Sequence, residues 1–100
     1  MFASQTVSMW RTIGSPGFPF NEDEIRAKIA RAYDRSFYPP GSARQMVAIL
    51  SAGSRKEALA NVKAPTLVIH GRQDCLIPLA GGEDTAKSVP NAELVIIDGM

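Results

Sequence analysis

Two short runs near the end of the chain constrain its fold more than any other feature. Thr66-Leu67-Val68-Ile69-His70 is apolar, largely β-branched and lacks alternation, which suits a strand buried on both faces of a parallel sheet. Glu93-Leu94-Val95-Ile96-Ile97-Asp98 is a second β run. Between them, residues 80–88 can form a helix that starts near Gly81-Gly82-Glu83-Asp84 and is broken by Pro90-Asn91. Strand, helix and strand within about 30 residues form a βαβ unit, so the strands should be parallel with a right-handed crossover.

The preceding sequence has a helical period. Asn21 is a good N-cap, and Glu24 sits three residues later in a capping-box pattern. Glu22, Asp23 and Glu24 suit the positive end of a helix dipole, and Lys28, Arg31 and Arg35 its negative end. Ile25, Ile29, Ala32 and Tyr33 make an apolar stripe, and Pro39-Pro40-Gly41 ends this helix over residues 21–35. A second helix is expected over 43–52, capped by Ser42 with Gln45, with Met46, Val47, Ile49 and Leu50 as its apolar face and Gly53 at its end. Ser54 with Glu57 opens a short third helix over 55–61, which Pro65 bars from continuing. Residues 5–12 suit either a short helix or an extended segment, and Gly and Pro argue against a regular element at 14–20. The chain thus divides into a helical segment, 1–63, and a βαβ portion, 64–100, and its fold class is α/β.

Composition excludes several classes. A net charge of +1, with Lys and Arg mixed among acids, gives no basic stripe for nucleic acid or an anionic membrane. No apolar run approaches the roughly 20 residues of a transmembrane helix, and the N-terminus has no signal-peptide pattern. One cysteine, Cys75, forms neither an internal disulfide nor a metal cluster and fits a reducing, cytoplasmic setting.

In an open parallel sheet, functional groups collect in loops at the carboxyl ends of strands. The loop 71–78 holds that place and carries one carboxylate, Asp74. It can orient a histidine and stabilise the imidazolium formed on proton uptake, or simply accept turn hydrogen bonds, the commoner role by position alone. His70, the only histidine, is four residues away but ends the strand before the turn, and is read as a packed, hydrogen-bonded side chain. Cys75 lacks the setting of a nucleophile, since Asp74 beside it opposes thiolate formation. Gly81-Gly82 before a helix suggests a phosphate cradle, but Glu83 and Asp84 would repel an anion, and a plain turn is expected.

Pro65-Thr66-Leu67-Val68-Ile69-His70-Gly71-Arg72-Gln73-Asp74-Cys75-Leu76-Ile77-Pro78 resembles the α/β-hydrolase segment P-T-L-V-I-x-G-x-x-D-x-x-I/V-P. The resemblance implies that Asp74 is the acid of a Ser-His-Asp triad. Pro90 to Met100 resembles the following strand, which in that family leads into a Gly-His pair carrying the base. Residues 54–63 resemble the helix before the acid strand, and residues 10–50 the cap of a subgroup that includes the aclacinomycin methylesterases. The resemblance makes the aromatics of this cap a lid, with Trp10, Phe18, Phe20 and Ile77 as candidate pocket residues. Core packing between helices is the commoner role for any one of the aromatics.

The resemblance has departures. The family's nucleophile sits in a G-x-S-x-G elbow, and no such pentapeptide occurs here. Ser15 and Ser54 lack a preceding strand, and no histidine follows the second β run. The expectation is a partial α/β-hydrolase fold from a serine hydrolase of carboxylic esters, with a small ester-like substrate and no metal or organic cofactor. The chain is expected to be inactive alone and to self-associate through exposed strand edges. Haloalkane dehalogenases, epoxide hydrolases and iminopeptidases share such an acid loop, so ester hydrolysis is a family default. The alternative is a small non-catalytic α/β interaction module.

Overall fold

The structure, a computed structural model, describes residues 2–100. Its order is α1 (Phe2–Ile13), α2 (Glu22–Arg35), α3 (Pro39–Ala52), α4 (Lys56–Leu59), β1 (Leu67–Gly71), α5 (Leu79–Ser88) and β2 (Glu93–Ile97). The two strands pair in parallel, with Leu67 opposite Glu93 and Gly71 opposite Ile97. Helix α5 packs on both strands and α4 packs on α5. The chain is therefore mixed α/β with a βαβ unit at its end.

Local chemistry accounts for most helix ends. Asn21 is extended and its side chain accepts the Glu24 N–H at 3.1 Å. The reciprocal half of the capping box is replaced, because the Glu24 carboxylate pairs with Lys28 Nζ at 2.8 Å. The undecided segment 5–12 lies within helix α1. Its face meets the Ile25–Ile29–Ala32 stripe of α2, and the two helices bury Val7 and Ile29. Residues 14–20 contain no helix or strand.

Several boundaries differ from expectation. Helix α3 begins at Pro39, so Pro39 and Pro40 start it and Ser42 lies inside it rather than capping it. Proline suits the first helical turn, where its missing N–H would have had no partner. The third helix is a single turn, because Ser54 Oγ accepts the Lys56 N–H and the chain then tightens into 3₁₀-like turns ending at Val62. Gly81 and Gly82 are neither turn nor cradle but lie inside α5, which starts at Leu79. A Cβ on Gly82 would approach the His70 ring to 2.6 Å, so glycine lets α5 seat on β1.

The largest difference concerns burial. β1 is not buried on both faces: it alternates, with Leu67 53% and Ile69 55% exposed, because α5 covers one face and nothing covers the other. Among the described residues, helix α3 packs on no other element, and Met46, Val47, Ile49 and Leu50 are all exposed. Among the described residues, the buried apolar side chains are Val7, Ile29 and Val89. The radius of gyration, 16.9 Å, exceeds the roughly 13 Å of a compact 100-residue domain. The accessible surface is 7925 Å², roughly 2,400 Å² more than a compact monomer of this mass presents.

First, the chain in isolation should self-associate and bind a hydrophobic dye. Sedimentation showing a monomer that melts in one sharp transition would contradict it. Second, hydrogen bonds from Arg26 and then Arg11 hold the Glu22 carboxyl below its usual 4.5, and Lys28 does the same for Glu24. Carboxyls lowered in the folded state stabilise it above their unfolded value, and this contribution disappears as pH falls through the folded value. Helicity by circular dichroism should therefore drop below pH 4.5, by a small amount because the pairs are exposed. Glu22→Gln should flatten part of that drop; an identical acid profile in the variant would contradict it.

Candidate functional site

The acid loop is the segment Arg72–Pro78 between β1 and α5. The parallel pairing continues past the strands into it. Arg72 N–H donates to Ile97 O at 3.0 Å, and Gln73 N–H to Met100 O at 2.8 Å. Gln73 Oε1 accepts the Gly99 N–H at 2.6 Å, and the Arg72 guanidinium pairs with Asp98. The loop is thereby fixed against the residues that follow β2. Gly17 N–H donates to Gly99 O at 2.7 Å, tying the irregular segment after α1 to the same place. A side chain at Gly17 would collide there, its Cβ 2.6 Å from Gly99 Cα.

Asp74 is organised asymmetrically. Its Oδ1 accepts the backbone N–H groups of Leu76 and Ile77, each at 2.9 Å. Its Oδ2 accepts no hydrogen bond among the described residues and lies 3.7 Å from His70 Nε2. The side chain is 31% exposed. The turn-forming role and availability to a further donor thus coexist, one on each oxygen. A carboxylate tied through one oxygen loses rotational freedom, so the other is presented in a defined direction.

His70 contacts Asp74 but is not set up to be its base. Nε2 lies 2.8 Å from Ile77 O. A carbonyl only accepts, so Nε2 carries the proton and has no lone pair to offer. Cys75 Sγ approaches Thr12 O at 3.4 Å, in contact with the end of α1 rather than with a base.

The candidate pocket residues do not share one cavity. Phe18 and Phe20 line a 330 Å³ cleft beside the acid loop, whose walls include Arg11, Gln73 and Cys75. The Arg11 guanidinium lies 4.4 Å from the Phe20 ring centre and pairs with Glu22 at 2.6 Å. Asp74 adjoins this cleft in sequence but is not among its lining residues. Trp10 lines a separate 440 Å³ apolar groove with Ile25, Ile29, Tyr33 and Phe37. Ile77 lies on the acid loop with a half-exposed side chain. Sequence reasoning missed the Arg72 and Gln73 clamp, because it spans 26 residues and needs the strand register to be seen.

Among the described residues, no cluster of three or more His, Cys, Asp or Glu side chains could hold a metal ion, and no helix is long and apolar enough to cross a membrane. No protein-family model matches the chain.

If Asp74 Oδ1 organises the loop, Asp74→Asn should preserve it and Asp74→Ala should not. Hydrogen exchange over residues 74–77 should stay near wild type in the first variant. It should rise about tenfold in the second, the size of one or two lost hydrogen bonds. Equal exchange in both would contradict this role.

Proposed function

We propose that the chain is the C-terminal part of an α/β-hydrolase-fold serine hydrolase acting on carboxylic esters, with Asp74 as the triad acid. The observation that carries the proposal is Asp74 itself. It stands in the loop at the carboxyl end of a parallel strand, with Oδ1 held by two backbone N–H groups and Oδ2 without a donor among the described residues. That is what orienting an imidazole requires: a fixed carboxylate with one oxygen unspent.

In this reading, a serine from elsewhere attacks the ester carbonyl while a histidine takes its proton. Asp74 holds the tautomer of that histidine and stabilises the imidazolium, and water then releases the acid from the acyl-enzyme. Phe18 and Phe20, in the cleft beside the loop, suit an apolar acyl or alcohol group. No cofactor enters the scheme, and a reducing cytoplasmic setting suits the exposed Cys75.

The uncovered surface supports a part of a larger body. The excess of roughly 2,400 Å² is of the order one partner buries in a large obligate interface. Leu67, Ile69 and Val95 contribute to it on the sheet face where further layers of a larger α/β fold would pack. A second reading, a non-catalytic interaction module, draws on α3, which packs on no other element among the described residues.

The hydrolase reading expects the 100-residue chain to show no Asp74-dependent turnover of a p-nitrophenyl ester. Turnover abolished by Asp74→Ala would contradict inactivity in isolation. In the chain joined to its nucleophile and base, Asp74→Asn should lower kcat by about 10⁴-fold with little change in KM. Full activity in that variant would sink the triad role.

A further inference from the structure

His70 is the side chain that the proposed chemistry leaves unused, and it is well enclosed. Its side chain is 10% exposed, and its ring rests on α5 where Gly82 leaves room for it. Its Nε2–H donates to Ile77 O at 2.8 Å. Residue 78 is proline, so the peptide joining Ile77 to Pro78 has no N–H and this carbonyl is its one hydrogen-bonding group. The N–H of the same Ile77 donates to Asp74 Oδ1 at 2.9 Å. Ile77 is thus strung between the two side chains, its C=O on the imidazole and its N–H on the carboxylate. The direct separation of 3.7 Å from Nε2 to Oδ2 is too long for a hydrogen bond.

We infer that His70 is a positioning residue for Asp74: its Nε2–H anchors Ile77, and the anchored Leu76 and Ile77 amides hold Oδ1 while Oδ2 stays without a donor. The role rests on reading Asp74 as the triad acid; the anchoring itself does not. It also explains why Gly82 matters. Any side chain there would displace the ring, with a Cβ 2.6 Å from Nδ1 and 2.8 Å from Cγ. The helix, the imidazole, the Ile77 peptide and the carboxylate form one continuous support running from α5 to the loop.

Two measurements test it on the chain as it stands. The chain has a single histidine, so selective ¹⁵N-histidine labelling reports only the two ring nitrogens of His70. Magic-angle-spinning NMR, which tolerates self-association, should find a proton on Nε2. The Nδ1–H tautomer would overturn the inference. The second measurement compares His70→Gln, His70→Asn and His70→Phe by hydrogen exchange over residues 74–77. The Gln amide nitrogen reaches the position of Nε2, whereas the Asn amide reaches only that of Nδ1 and Phe has no donor. Gln should keep exchange near wild type. Asn and Phe should raise it about tenfold, one hydrogen bond's worth, while the β1–β2 ladder stays protected. Equal exchange in Gln and Asn would overturn the inference, and that pair decides even if the Phe variant does not fold. Neither readout needs turnover. Failure here leaves the triad reading standing, and failure of the triad reading leaves the anchor measurable.

Discussion

The parallel hydrogen bonding of Leu67–Gly71 with Glu93–Ile97, prolonged into Arg72 and Gln73, is the constraint on which the rest depends. It fixes where the acid loop begins and ties the loop to the residues after β2. Because Gln73 is held at both its backbone N–H and its side-chain Oε1, Asp74 leaves the strand from a defined point. The loop then closes on itself through Asp74 Oδ1, and α5 starts at Leu79 directly after Pro78. The fold thus delivers one carboxylate oxygen, already oriented, at the carboxyl end of a parallel sheet.

Precision at the loop contrasts with incompleteness around it. The same βαβ unit that fixes Asp74 leaves one sheet face and both outer strand edges without a covering layer. Parallel strands are ordinarily buried on both faces, since their apolar side chains and unpaired backbone groups otherwise meet water. Helix α3 repeats the imbalance. At 14 residues it is near the lower limit for a helix to persist in water without packing, yet it packs on no other element among the described residues. The proposed function draws on this combination of a fixed carboxylate and an uncovered surface.

Much of this was legible in the residues. The β-branched run at 66–70, the second run at 93–98 and the Asn21 cap are local signals, and local signals carry element type and position. The start of α3 was misplaced because Pro39-Pro40 breaks a preceding helix and opens a following one equally well, and sequence alone favours neither. Burial of β1 was overestimated because an apolar run records what a strand needs, not which layers its own chain provides. At the site, the turn hydrogen bonding of Asp74 follows from its place in the loop, whereas the different surroundings of its two oxygens depend on contacts that sequence does not carry. Trp10 and Phe18 looked alike as lid aromatics, but the helical packing of α1 on α2 sends them to different cavities.

We propose that Asp74 serves a serine and a histidine encoded outside these 100 residues. The most direct measurement is the nucleotide sequence of the reading frame on either side. A triad acid at Asp74 requires a G-x-S-x-G between a strand and a helix upstream, and a Gly-His pair directly after Met100. A frame that opens at Met1 and closes after Met100, with neither element, would contradict it.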